Sequence, residues 1–514
     1  GQGLTKGTVV LRFIARRLGI SLLILFLGSI LMYVLTINSG DPLEDLRGNN
    51  SSNADQLIQA RVDRMNLDEP WYVRYGLWLG GASKCFVLSC DLGDNRSGTS
   101  VNTLVTAAAS SSLRLVTLAT VIAIVLGVAA GVLSAIRQYS GFDYAVTFAA
   151  FLFFSLPVFW AAVLLKQYGA IDFNNWMADP GISLITTIIL ALIFGGAASV
   201  IAGGDKQRRL ITFAATAIGL ALVLIYFNAV NWFAQPALGL PLIILLSLAA
   251  LGLLLMLTVG LRNRQVINCG LITIAVGIVS FFITRGMMED PSWTLLAILA
   301  AISVAVGAVV GVVAGGYERA TAITISIGTA LSFGFFVFLD RLLSNWASYV
   351  DITGRPISTI GSGSPLFSGN FYEGTWDWVT QLILPSTVLI LISLASYSRY
   401  TRSSMLETTQ QDYMRTAKSK GLSDRVINTK HALRNALIPI TTIVAFDFAS
   451  LISGAVVTET VFGWSGMGAL FKVGLDNTDP NPLMGFFLVT GTAAVLMNML
   501  ADIAYASLDP RIRR

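Results

Sequence analysis

Long apolar stretches separated by short polar breaks run through the whole chain. Twelve stretches, near 18–37, 115–136, 144–165, 182–202, 210–227, 238–259, 266–283, 295–314, 322–339, 379–397, 436–457 and 483–505, each reach the ~17–25 residues that cross a bilayer as a helix. Backbone polar groups find no water in hydrocarbon, so helices are predicted throughout and the fold class is all-α, a polytopic integral membrane protein. The first stretch follows Arg16 and Arg17 and has no Ala-x-Ala cleavage site before Gly40-Asp41-Pro42, so it reads as a retained helix rather than a signal peptide. Three polar regions interrupt the pattern: 38–112, 340–378 and 398–435.

Charge tests the count. With the first end inside and the spans alternating, the inside holds 22 of the 34 Lys and Arg. They are Lys6, Arg12, Arg16 and Arg17; Arg137; Lys206, Arg208 and Arg209; Arg262 and Arg264; Arg319; the group from Arg399 and Arg402 through Arg415, Lys418, Lys420, Arg425, Lys430 and Arg434; and Arg511, Arg513 and Arg514. This positive-inside bias supports twelve crossings with both termini in the cytoplasm and 398–435 as the one long cytoplasmic loop. Apolar residues make up 54% of the chain and charged residues 12%. A soluble domain cannot hide that much apolar surface, which excludes a cytosolic enzyme, a nucleic-acid module and a disordered protein.

Residues 181–345 differ in texture, with short loops and Ala/Leu/Ile/Gly-rich helices. They read as six helices inserted between two positions on the same side, an accessory bundle expected at the periphery of the core. The expected domains are therefore 1–180, the inserted module 181–345, and 346–514. No internal repeat of the kind secondary transporters carry is visible.

The most informative segment is 405–439. Met405 to Lys420 lack Gly and Pro and suit a helix. Gly421 is a natural stop, because Gly reaches positive φ without strain. Ser423 suits the cap of a second helix, with Asp424 in its first turn. The loop is thus expected to be two short helices around a sharp turn, a compact basic knob; a solvated basic loop is the simpler alternative.

These residues resemble the membrane subunit of bacterial dipeptide/oligopeptide ABC importers, the binding-protein-dependent transport permeases. Asp412, Tyr413, Arg415, Thr416, Ala417, Lys420, Gly421, Leu422, Ser423 and His431 to Pro439, including Leu433 and Arg434, match the peptide-permease form of the family's "EAA" loop. Of the general form only Ala417, Gly421 and Leu433 match. Further pieces agree in order: Gly40-Asp41-Pro42, Leu67-Asp68-Glu69-Pro70 with Arg74-Tyr75, Asp91-Leu92-Gly93, Ser155-Leu156-Pro157 with Phe159-Trp160, Glu459-Thr460-Val461-Phe462 with Trp464, Gly466 and Gly468, and Leu508-Asp509-Pro510-Arg511. The resemblance covers about 1–180 and 379–514. It implies a permease that passes substrate between two homologous membrane chains and docks its loop, including Asp424 and Arg425, on ATPase subunits. Two ATPase subunits or domains, an extracytoplasmic substrate-binding protein, a peptide substrate and membrane lipid are the implied partners, in the bacterial cytoplasmic (inner) membrane; nucleic acid is not one. This chain has no GxxxxGK[ST] loop, so ATP and Mg would be bound by the partner ATPases and no cofactor or catalytic residue is expected here.

Other residues carry two readings. Asp447 is the one acid placed deep in a span; it lines the substrate path, or it is bonded to a Ser or Thr, or neutral. Glu459 is part of an outer gate or an anchor of the outer loop, and Phe159 and Trp160 join the path or gate. Lys166 is expected to snorkel to the outer interface. His431 has no second His in the chain, so a structural hydrogen bond is preferred to a metal or pH-sensing role, and no metal site is expected. Cys85 and Cys90, on the oxidising side, are expected to form a disulfide, with two free thiols as the alternative; Cys269 reads as an apolar filler. A self-contained secondary transporter, a membrane scaffold, and importers of nickel, heme precursors or glycosides are the rival readings.

Overall fold

The computed structural model of the protein describes residues 2–47, 53–87, 89–258, 260 and 263–508; the side chains of 2–15, Phe86, Arg425, Ala449, 452–454 and 501–508 are outside that description. Lys6, Arg12, Arg262, Arg425, and Asp509 to Arg514 of the features above therefore lie outside the described residues or side chains. Regular structure among the described residues is helical, apart from one antiparallel bridge between Asp94 and Ser100. Ten of these helices are long and apolar enough to cross a membrane, or eleven if one bent pair counts as a crossing. The chain divides into two compact units, one of Gly1–Gln167, Thr359–Ser362 and Leu382–Arg514, the other of Tyr168–Ser358 and Gly363–Gln381.

The first unit begins with α1 (Gln2–Ile37), followed by short helices Glu44–Arg47, Ala54–Met65 and Trp71–Ser83. A Cys85–Cys90 disulfide closes the chain after the last of these. Next, α2 (Val101–Ile136) runs for 36 residues. Its first turns lie where the sequence suggested a polar outer segment. The helix accommodates polar side chains there: Thr106 donates to the Asn102 carbonyl at 2.7 Å, and Ser111 and Ser112 are buried. The expected single span 144–165 is instead α3 (Gly141–Ser155) and α4 (Val158–Lys166), set at 101° to each other, α4 continuing to Met177. Pro157 is the cause. It lacks an N–H and pushes Leu156 to extended backbone, φ −74° and ψ 126°.

The second unit contains α5 (Leu184–Ala202), α6 (Lys206–Ala229), α7 (Gly239–Thr258), α8 (Arg264–Ile283), α9 (Trp293–Ala314) and α10 (Arg319–Ser344). Each of α5, α6, α8 and α9 starts at a Ser, Asp or Asn whose side chain accepts a hydrogen bond from a first-turn N–H, the usual way to satisfy those donors. α5 and α6 pack as a pair, while α10 packs against α7, α8 and α9 around Ile243, Leu251, Val266, Ile274, Ile325 and Phe333. Cys269 is buried here as a free thiol. The unit extends to Gln381 rather than ending near 345. Tyr349 in the helix Trp346–Thr353 shares a hydrogen bond with Thr380 at 2.7 Å, and Tyr372 donates to the Met288 carbonyl at 2.9 Å.

One helix, α11 (Phe371–Thr409), contributes its first turns to the second unit and the rest to the first. The first unit then closes with α12 (Asp412–Ser419), α13 (Leu433–Gly454), α14 (Val456–Phe462), α15 (Met467–Asp476) and α16 (Pro480–Leu508). α13 occupies the expected span 436–457 but is not among the ten. It packs on α16 and α2, and α16 packs on α1, α2 and α15.

Candidate functional site

The knob between α11 and α13 is built on a small apolar core. Met405, Met414, Ala417, Ile427, Ala432 and Ala436 are buried together, with Val132 and Ala135 of α2 and Leu433 packed against them. α12 presents Met414 and Ala417 inward at helical spacing, so its polar residues face out. The sequence suggested one helix from Met405 to Lys420. The structure breaks it at Gln410–Gln411, where Gln411 is extended at φ −68° and ψ 150°. Gly421 turns the chain at φ +74°, with its N–H bonded to the Lys418 carbonyl at 2.9 Å and the Leu422 N–H to that of Ala417 at 3.4 Å. The second helix begins at Asp424, and its side-chain cap is missing: Ser423 contributes its carbonyl, to the Ile427 N–H at 3.0 Å, and not its hydroxyl. A π-helical stretch, Ile427–Ala432, leads into α13.

Asp412, Tyr413, Arg415, Thr416, Lys420, Gly421, Leu422, Ser423, Asp424 and Arg434 are exposed; Ala417 is buried, and His431 and Leu433 are half-buried. Arg415 and Asp412 approach to 3.9 Å at the surface, a contact of little energetic weight. The Asn435 amide donates to the Tyr413 hydroxyl at 2.8 Å and to the His431 carbonyl at 3.1 Å. Ser404 of α11 donates to the Ala436 carbonyl at 3.0 Å. The knob is thus held to the helix that precedes it and to the helix that follows.

A residue that sequence reading passed over anchors this end. Asp143 is 2% exposed and takes both forks of Arg402, at 2.8 and 2.9 Å. The Ser134 hydroxyl and the Tyr139 N–H also donate to it. Three helices meet there: α2 through Ser134, α3 through Asp143 and α11 through Arg402. The local sequence explains the position of Asp143. Ser140 caps α3 by accepting its N–H at 3.2 Å, which sets Asp143 in the first turn. A lone acid three residues after a Ser, ahead of a long apolar run, was the available signal.

Asp447 of α13 accepts from the Ser393 hydroxyl at 2.8 Å and the Tyr397 hydroxyl at 2.5 Å, both on α11. Of its two readings, the hydroxyl-bonded carboxylate describes this arrangement. Glu459 is 1% exposed. It accepts from Ser112 of α2 at 2.7 Å and from the Ala469 N–H at 3.0 Å. Ser112 in turn accepts the Met467 N–H at 2.8 Å, and the Trp464 indole donates to the Ser111 carbonyl at 3.3 Å. A Cβ at Gly466 or Gly468 would collide with this carboxylate, so the Trp-x-Gly-x-Gly spacing leaves room for it. Glu459 therefore anchors the turn between α14 and α15. Lys166 donates to the Val461 carbonyl at 2.8 Å, near the end of α14. Phe159 and Trp160 are more than half exposed on α4, which packs against α14.

At the opposite end of α2, the segment before it folds over the start of α16. The buried Asp479 accepts the Arg96 N–H at 2.5 Å, and burial pushes its carboxyl above the usual aspartate range. Arg61 holds the Asp45 carboxyl below that range through a 2.5 Å hydrogen bond. Among the described residues no group of three or more His, Cys, Asp or Glu side chains converges as a metal would need.

Helices of this number and length, whose backbone polar groups bond within each segment, define a multi-pass α-helical membrane protein. The family described as binding-protein-dependent transport system inner membrane component matches residues 212–514. The chain belongs to that family, a transport permease component. The matched interval takes in most of the 181–345 block, where the sequence showed no family motif. Relatives include the oligopeptide transport system permease protein OppB of Mycobacterium tuberculosis, 39% identical over 34% of this chain and 53% of the relative. A putative peptide permease protein of Brucella ovis is 34% identical over 43% of this chain and 68% of its own length. The dipeptide transport system permease protein DppB of Escherichia coli is 42% identical over 28% of this chain and 42% of the relative. The chain spans about half the length of the first of these.

Proposed function

We propose that this chain is a membrane permease subunit of an ATP-driven importer that carries di- or oligopeptides across the bacterial cytoplasmic membrane. The observation that carries the reading is the knob. Its apolar core ties it to α2, α11 and α13, and its outer face is basic and exposed, so a push on it reaches the helices as a unit. In this reading the knob, including Arg415, Lys420, Asp424 and Arg425, docks on one of two ATPase subunits or domains that bind ATP and Mg, using charge-assisted contacts. A second homologous permease completes the path, and an extracytoplasmic binding protein delivers the peptide. Both termini face the cytoplasm, and the chain itself catalyses no reaction. The relatives' names and the peptide form of the loop support the cargo class.

Co-expression with the ATPase, second permease and binding-protein genes and reconstitution in proteoliposomes tests this. Peptide-loaded binding protein is expected to raise ATP hydrolysis and load labelled peptide into the vesicles. Stimulation by nickel, a heme precursor or a glycoside in place of peptide would transfer the cargo; transport without ATPase subunits would overturn the reading.

A further inference from the structure

The second unit contains a cavity of about 380 Å³, within the ~300–1,000 Å³ of clefts that bind small molecules. It lies among α8, α9 and α10, against Phe281, Trp293, Leu299, Phe333 and Phe338. Four hydroxyls also border it, and all four donate inside their own helices: Thr273 to Cys269, Ser280 to Gly277, Thr284 to Ser280 and Ser303 to Leu299, at 2.7–2.9 Å. No hydroxyl proton is left over to recognise a polar ligand, so the cavity suits hydrocarbon.

Just beyond the lining residues lies a charge. Arg341 follows Val337 and Phe338 by one helical turn, on the same face of α10. Its guanidinium lies 5.8 Å from the ring centre of Phe281. Its Nε is buried without a hydrogen-bond partner, and among the described residues it forms no ion pair. The nearby acids are engaged elsewhere: Asp340 accepts the N–H groups of Leu238 and Gly239, and Asp290 that of Phe371. Indoles gather at this level. Trp293 meets Phe371 at 4.9 Å, and Trp346 meets Trp376 at 4.7 Å. Such rings mark the membrane–water interface.

We infer that this cavity is a binding site for an anionic phospholipid, with an acyl chain among α8, α9 and α10 and the phosphate on Arg341. A basic side chain at the interface favours an anionic headgroup, and an apolar cavity lined one helical turn from that side chain selects an amphiphile rather than a free anion. The inference does not depend on the transported cargo.

The test is native mass spectrometry of the delipidated full chain in detergent, titrated with phosphatidylglycerol or with phosphatidylcholine of the same chain length. One phosphatidylglycerol is expected to be retained at concentrations where phosphatidylcholine is not. Arg341→Gln should weaken its retention about fivefold, the effect of one interfacial basic residue, and Ala330→Phe, which fills the cavity, should abolish it. Arg285→Gln should change nothing. Retention equal for the two lipids, or unchanged in both Arg341→Gln and Ala330→Phe, would overturn the proposal. So would retention of inorganic phosphate in place of lipid, or a cross-linked second copy of the chain at Ala330.

Discussion

Gly421 holds φ at +74° with open space around it, so its requirement is conformational and not steric. A β-branched residue there costs ~1–3 kcal/mol locally, enough to splay α12 from the helix that follows. Gly421→Val is expected to keep membrane insertion but lose peptide-stimulated ATP hydrolysis. Gly421→Asn, a residue that tolerates the left-handed region, should retain most of it; equal loss in both would assign the defect to the side chain. Glu459 makes a different demand, because its two oxygens take donors from Ser112 and Ala469. Glu459→Gln replaces one acceptor with a donor, and is expected to destabilise by ~1–3 kcal/mol through an unpaired buried group. A thermal-shift measurement in detergent reads this, with no shift counting against the anchoring role. Gly421 was legible from the sequence, since a Gly between two helix-forming runs is a local signal. The Glu459–Ser112 contact was not: its partners lie 347 residues apart, beyond the reach of any periodicity.

The ends of α2, α3 and α11 are joined by one bidentate pair, Asp143 with Arg402. Lys cannot reproduce the planar fork, so Arg402→Lys is no conservative change. A double-mutant cycle with Asp143→Asn and Arg402→Gln is expected to give a coupling of ~1–3 kcal/mol in unfolding; additive effects would show that the pair contributes no joint stability. The pattern of apolar runs located helices better than it located their bends and starts. Hydropathy makes α3 and α4 one crossing because Pro157 breaks the backbone without breaking the apolar run. It places the start of α2 late because the first turns use Ser and Thr, whose hydroxyls a helix can satisfy internally. The disulfide required only a local reading, with a sequence separation of 5. Cys85→Ser with Cys90→Ser should leave insertion intact and speed proteolysis between Ser83 and Val101; an unchanged digestion rate would show that the bridge does not order this segment.

Across the whole chain the open count is whether α13 crosses the membrane. If it does, the loop between α15 and α16 lies opposite the knob, and with the bent pair α3–α4 counted as one crossing the total is twelve. An alkaline phosphatase fusion at 477–479 is expected to be active and one at 410–411 inactive; equal activity at both would leave eleven crossings or fewer. The charge pattern predicts the same side for 203–205 and the knob, so a fusion at 203–205 should also be inactive. One helix, α11, contributes residues to both units, and its 39 residues make it ~58 Å long at 1.5 Å per residue. Hydrocarbon accounts for ~30 Å of that. Nearly half of this helix is therefore outside the hydrocarbon, and beyond the interior Pro385 the phase of its far end follows the residue count. A single Ala inserted after Leu389 would rotate everything beyond it by ~100° and advance it by ~1.5 Å. Arg402 would then turn away from Asp143 with every charge still in place. Evolution can exchange residues along this helix, but it cannot add or remove one between Leu389 and Arg402 without changing the direction in which the guanidinium points.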